Sequence, residues 1–286
     1  MAQMGSPVSI CPVTSGENSE RRDQPERNRD LGRRPRGCAA DDFRPGKMNA
    51  LDTEANLGIR AAMEQWSSSD DVRVIVIDGA GGSFSAGADV VSINSQSTAN
   101  GSSGLDPDQA RGIISAGSEL VRAVRSVQVP VIASVDGPAA GIGASLALAA
   151  DLIYTTQRSY FLLAFINIGL MPDGGASMLF TSAVGRVRAN ELALLGEKLR
   201  APEALAAGLI NGVYDDRAAL DEAVDKVAAK LAGKSRSALR LTKSALDAHT
   251  MSGFEAAIER ELEGQTELLQ SPEFQAAIAA FAGAQK

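Results

Sequence analysis

Histidine and tryptophan each occur once in the 286 residues, as His249 and Trp66, and cysteine occurs twice, as Cys11 and Cys38. With so few soft or nitrogen ligands there is no Cys/His cluster of metal-ligand spacing, so no metal site is expected. A Ser-His-Asp hydrolase is disfavoured for the same reason, because His249 lies in an amphipathic stretch with Leu239, Leu241 and Leu246 that suits a surface or packing role. Two cysteines in a chain of this length do not make a disulfide scaffold, and a reducing, cytoplasmic location is the expectation. No apolar run approaches the roughly 20 residues needed to span a membrane. The start of the chain also lacks the basic stretch and apolar core of a secretion signal. Positive charge is in deficit, and a net charge of −7 argues against nucleic acid as the main ligand, although local cations can still meet phosphates.

What is present is ordinary apolar material, 44% of the chain, enough for one enzyme-sized core. Residues 1–41 stand apart, with seven arginines, six acidic residues and only Val8, Ile10, Val13 and Leu31 as strong aliphatic positions. That composition predicts a disordered tail, and its arginine-bearing stretch 27–36 reads as solvated rather than as a contact for an acidic partner. Residues 42–215 read as the core and 216–286 as a helical region. The core begins with a helix from 52 to about 67, then a strand at Val72-Arg73-Val74-Ile75-Val76-Ile77. A polar, loop-like stretch follows at 92–108, then a helix over 107–126, a strand over 129–135, a small-residue helix and a strand over 152–155. Repeated β-β-α turns imply a spiral α/β core. In the last third Phe254, Ile258, Leu262, Leu268 and Leu269 are spaced for apolar helix faces.

Three segments carry candidate chemistry. Gly81-Gly82-Ser83-Phe84-Ser85-Ala86-Gly87-Ala88-Asp89-Val90 follows the first strand as a glycine-rich turn, a form that can aim successive amides at an anion. Val135-Asp136-Gly137-Pro138-Ala139-Ala140-Gly141-Ile142-Gly143-Ala144-Ser145 passes from a buried strand into a helix whose first amides have no intrahelical partner. Either glycine cluster also fits plain close packing of the backbone. Leu170-Met171-Pro172-Asp173-Gly174-Gly175 sets one carboxylate at the mouth of an apolar stretch, just before a helix. Desolvation there raises a carboxyl pKa toward the range of a proton-transferring base, whereas the alternative role for Asp173 is to cap the helix starting near Gly174.

In this order and spacing the segments resemble the crotonase superfamily, the enoyl-CoA hydratase/isomerase family. The likeness runs from about residue 43 to 281. It begins with Pro45-Gly46-Lys47-Met48-Asn49-Ala50-Leu51 and includes Phe84-Ser85-Ala86-Gly87-Ala88-Asp89, the Gly185-Arg186 helix start and Ala204-Leu205-Ala206-Ala207-Gly208-Leu209-Ile210. The resemblance implies a crotonase-type spiral followed by a C-terminal helical trimerisation region, with acyl-CoA thioesters as substrates. No cofactor is implied beyond the coenzyme A carried by the substrate. It also implies a homotrimer, or trimers paired into a hexamer.

By position, the amides of Ala88 and Ile142 would form the oxyanion hole. The implied substrate-binding set is Lys47, Met48, Ala50, Ala86, Asp89, Val90, Gly143, Ser145, Phe165, Gly169 and Phe281. The two glutamates with which family hydratases handle water are absent: Ser145 and Phe165 stand in their places. A lone serine hydroxyl is a poor base and a phenyl ring transfers no proton. Asp173 falls where isomerases of the superfamily place their single acid, and its local string looks most like the ring-1,2-epoxyphenylacetyl-CoA isomerase-like members. The expected activity is therefore a double-bond shift through a thioester enolate, with Ser145 lining the acyl pocket or packing as a small helix residue. The dehalogenase branch that uses a corresponding aspartate as nucleophile also enlists a His and a Trp without equivalents here. Two alternatives remain: a noncatalytic acyl-CoA-binding paralogue, and a hydratase with altered catalytic residues. The family's N-terminal hairpin has no visible alternating pattern ahead of Phe43, so it is absent or unrecognisable in the sequence, which puts one edge of the sheet in question.

Overall fold

The computed structural model describes residues 8–14, 47–89 and 105–284. In chain order the first elements are β1 (Val8–Thr14), α1 (Thr53–Ser67), β2 (Val72–Gly79), α2 (Pro107–Ser126), β3 (Val131–Val135), β4 (Pro138–Ala140) and α3 (Ile142–Leu148). Then come β5 (Leu152–Thr156), β6 (Tyr160–Leu162), a 3-10 turn at Ala164–Ile168, α4 (Ala176–Val184), α5 (Arg186–Leu195), β7 (Lys198–Arg200), α6 (Ala201–Ala206) and β8 (Gly212–Tyr214). The chain closes with α7 (Arg217–Ala232), α8 (Arg236–Thr250), α9 (Phe254–Leu268) and α10 (Pro272–Ala284).

Each turn of the spiral gives one strand to each of two sheets. β2, β3, β5 and β8 run parallel side by side, with β1 antiparallel on the outer side of β2. After β2, β3 and β5 the chain bends into a second layer, where β4 pairs parallel with β6, β6 antiparallel with β7, and Ser85 forms a single parallel bridge to Ala139. The parallel strands are covered on both faces, which is why their sequences are continuous apolar runs. Val74, Val76 and Ile132 face Leu220, Val224 and Ala228 of α7, which recur every fourth residue. Ile75, Ile77, Val131 and Ala133 point the other way into the main core with Ile59, Met63, Leu120 and Val124. The C-terminal helices thus complete the core, α7 closing one face of the sheet and Phe254 and Ile258 of α9 joining the main cluster.

Two expectations for the amino-terminal segment are corrected. Residues 8–14 are a strand, paired with β2 from Val8 opposite Gly79 to Thr14 opposite Val72, so this edge of the sheet is present. The strand escaped the sequence pattern because Ile10 packs into one cluster and Val13 into the other, and a strand buried on both faces does not alternate. Cys11 on this strand is disulfide-bonded. The arginine-bearing stretch 27–36 and most of the polar stretch 92–108 lie outside the described residues. Among the described residues no helix is long and apolar enough to cross a membrane.

Leu220 is fully buried on α7 whereas Leu57 on α1 is 57% exposed. Leu220→Ala should lower unfolding free energy by about 3 kcal/mol, while Leu57→Ala should stay within about 0.5 kcal/mol. Urea denaturation of the two variants measures the contrast.

Candidate functional site

The glycine-rich turn after β2 is fixed from three sides. Asn49, fully buried with φ of +54°, donates through Nδ2 to the carbonyls of Ala80 and Ser83, both at 2.8 Å. Asparagine is among the few residues that tolerate this left-handed backbone, so it can sit in the bend and bond across it. Ser85 Oγ donates to the Asn49 carbonyl at 2.9 Å and accepts from the Gly87 amide at 3.2 Å. Leu51 N donates to the Gly87 carbonyl at 2.7 Å and Asp89 N to the Leu51 carbonyl at 3.1 Å, a register that skips the Ala88 amide.

The second turn lies directly against the first. Ala140 N donates to the Ser85 carbonyl at 2.9 Å. A methyl built on Gly87 would stand 2.8 Å from the Ala140 carbonyl oxygen and 3.5 Å from Gly141 Cα, so only glycine lets these backbones meet. Ile142 is the first residue of α3, whose N-cap Gly141 offers no side chain. Among the described residues neither the Ala88 nor the Ile142 amide donates a hydrogen bond. Two adjoining turns thus each present one unspent N–H. The Phe165 ring, buried on the 3-10 turn, borders them, since a methyl on Gly141 would lie 3.9 Å from its Cζ.

Asp173 is brought to this place by a turn of two successive left-handed glycines, Gly174 at φ +63° and Gly175 at φ +78°. A methyl on Gly174 would stand 2.3 Å from Ile142 Cδ1, and one on Gly175 2.3 Å from Phe254 Cε2, so the turn is clamped between α3 and α9. Ser145 Oγ donates to the Asp173 main-chain carbonyl at 2.8 Å, tying the acid's backbone to the helix that begins at Ile142. Ser145 is fully buried, with its hydroxyl engaged on the backbone of the acid loop, as suits the packing role weighed for it from the sequence.

The Asp173 side chain does not cap α4. That helix has Gly175 as N-cap, with no side-chain bond of its own. Its free amides are satisfied from α9, where the Glu261 carboxylate accepts from Gly175 N at 2.6 Å and Ser177 N at 2.9 Å. Asp173 is 9% exposed; its Oδ2 accepts from Gln265 Nε2 at 2.9 Å and its Oδ1 is buried with no partner. Burial pushes its pKa up to about 7; the Gln265 donor pulls the other way and the Glu261 charge adds to the rise. Burial likewise raises the Glu261 pKa, against the pull of the Ser177 and Gly175 amides. A carboxyl that is half ionised near neutrality, buried and one oxygen short of its bonding capacity can both take and return a proton.

The remaining sequence-predicted residues are placed as follows. Lys47 bonds Asp89 at 2.7 Å beside the first turn, with the lysine and Met48 each 53% exposed at the surface. Ala50 is buried, Ala86 half-buried and Ala88 exposed. Gly143 is a packing position, where an added methyl would meet Ser85 Cβ at 2.7 Å. Gly169 backs onto Glu273 and Phe274 at the start of α10 rather than onto the acid. Val90 lies outside the described residues, as does the side chain of Phe281 on α10.

Sequence reasoning missed Asn49, Glu261 and Gln265. The last two had a visible signal: with Phe254 and Ile258 they continue one stripe of α9 at helical spacing, so two polar residues occupy positions where the pattern demands apolar ones.

A family model described as Enoyl-CoA hydratase/isomerase matches residues 43–286. The chain is similar to the 1,2-epoxyphenylacetyl-CoA isomerase of Escherichia coli, 32% identical over 83% of this chain and 88% of the relative. It is also similar to the probable enoyl-CoA hydratase echA12 of Mycobacterium bovis, 36% identical over 83% of each chain. Among solved structures, an enoyl-CoA hydratase from Mycobacterium avium subsp. paratuberculosis superposes with a TM-score of 0.74 at 41% identity, covering 85% of this chain and 90% of that one.

The raised Asp173 pKa carries a stability signature. Below the unfolded value, 3.8, both states hold the proton; between there and about 7 the unfolded chain releases it first, so native stability falls as pH rises. Asp173→Asn should abolish that loss and be the more stable protein above pH 7, by at most roughly 4 kcal/mol, with the gap vanishing in acid. Denaturation curves of the two proteins across this pH range test it.

Proposed function

The chain belongs to the enoyl-CoA hydratase/isomerase family, and on that footing we propose that it shifts a carbon–carbon double bond in an enoyl-CoA, with Asp173 as sole acid and base. The observation that carries this reading is a buried carboxyl with one oxygen lacking a partner among the described residues, on a loop tied through Ser145 to the helix whose first amide is unspent. Ionised Asp173 takes a proton from the α carbon of a β,γ-unsaturated thioester. The C–H electrons move into the conjugated system and onto the thioester oxygen, which accepts from the Ala88 and Ile142 amides. Preorganised donors of this kind are worth about 3 to 4 kcal/mol each in the transition state. The same carboxyl returns the proton to the γ carbon, so the α,β-unsaturated isomer leaves with no net change in atoms or charge. Phe165 keeps water from the reacting carbons, which protects the dienolate and sustains the high pKa of the acid.

Hydration is the second reading, favoured by the hydratase names among the relatives. Against it stand Ser145, whose hydroxyl is spent on the Asp173 carbonyl, and Phe165, which holds no proton. Binding without turnover is weakened by the helix cap being Glu261, which leaves Asp173 no structural duty at the cap. We also propose a homotrimer or pair of trimers, supported by the exposed Leu194, Leu195, Leu241 and Leu246 on α5 and α8.

Wild-type protein given 3-enoyl-CoA should form the 2-enoyl isomer, and Asp173→Asn should lower kcat by about 1,000-fold or more while leaving thioester affinity in calorimetry unchanged. Near wild-type turnover by that variant, or hydration of 2-enoyl-CoA as the faster reaction, would reject the assignment.

A further inference from the structure

Helix α9 turns one amide into the acid's surroundings with a defined orientation. Gln265 is fully buried, and its Oε1 accepts from the Met171 amide at 3.4 Å. The end facing Asp173 is therefore Nε2, which donates to Oδ2 at 2.9 Å. A flipped amide would set Oε1 against the carboxylate and an NH2 against an N–H, two repulsions in place of two bonds. The partner oxygen, Oδ1, is buried and receives nothing.

We propose that Gln265 is the positioning residue of the acid–base carboxyl, holding Oδ2 so that Oδ1 alone exchanges the proton with the α and γ carbons of the substrate. The proposal rests on the isomerase reading above. One oxygen for both transfers means the carboxyl need not turn about χ2 between taking the proton and giving it back. The donor also favours the ionised form of Asp173 in a site where burial favours the neutral one, so Gln265 sets how readily the base is available. The electrostatic surroundings are sparse. From α9 the charge on the acid is that of Glu261, itself bonded to Gly175 and Ser177. From α3 comes Ser145 on the main chain, and from α2 the apolar Val121, with Arg122 engaged by Glu119 and Glu255. Glu273 at the start of α10 stands against Gly169.

The test is a carboxyl titration by carbon-13 NMR of aspartate-labelled protein, with Asp173→Asn identifying the resonance, run beside the pH dependence of kcat. Gln265→Met keeps length and apolar volume and removes the donor. Its Asp173 pKa should rise by about one unit, and the acidic limb of kcat should move by the same amount with little change in KM. Gln265→Glu keeps an acceptor for the Met171 amide and puts a second carboxyl against the first, so the pKa should rise further. An Asp173 pKa equal to wild type in a folded variant would overturn the proposal; if the methionine variant fails to fold, the glutamate variant supplies the measurement. Absence of 3-enoyl-CoA turnover in the wild type would instead strike the isomerase reading, while the titration still decides whether Gln265 governs the acid.

Discussion

The carboxylate of Glu261 on the amides of Gly175 and Ser177 is the contact on which the site depends. A helix start needs an acceptor for its first N–H groups, and the local candidate is the aspartate two residues ahead of the N-cap. Because the acceptor arrives from α9, Asp173 keeps its side chain for other work. The same contact anchors α9 to the acid loop, which places Gln265, one helical turn further on, against Asp173. Capping, tethering and tuning of the acid thus share one face of one helix.

The second constraint is the approach of two backbones at Gly87 and Gly141. The spiral repeats one bend after each strand, and the bends after β2 and β3 stack because Ser85 and Ala139 are bridged. Stacking leaves the residues just beyond, Ala88 and Ile142, with amides outside either ladder. The unspent donors are a by-product of the repeat, so a fold built for burial also leaves two main-chain N–H groups without a partner among the described residues. Asn49 rigidifies the first bend from a segment more than 30 residues earlier.

Much of this was legible in the residues. The strand from Val72, the helix over 107–126 and the glycine turns all follow from local pattern, and their order carried the family likeness. The carboxyl at 173 was visible too, but its role was not, since capping and proton transfer ask for the same residue at the same place. The residue that caps the helix in its stead, Glu261, and the donor to Asp173, Gln265, sit 84 to 92 residues from the positions they bond, and no local window contains them. The first strand was hidden for a different reason: with Ile10 and Val13 buried on opposite faces, its sequence lacks the alternation that marks a half-buried strand.

That first strand also decides where the sheet stops. Among the described residues β1 is the outermost member of the five-stranded sheet, and Pro12 in its middle has no N–H to offer. A foreign strand arriving at this rim would find a gap in the donor row, and the register with β2 shifts at its end, where Val13 lies opposite Val74 and Thr14 opposite Val72. The rim that completes the sheet is thereby a poor template for its extension, so this edge resists the edge-to-edge stacking through which exposed strands aggregate.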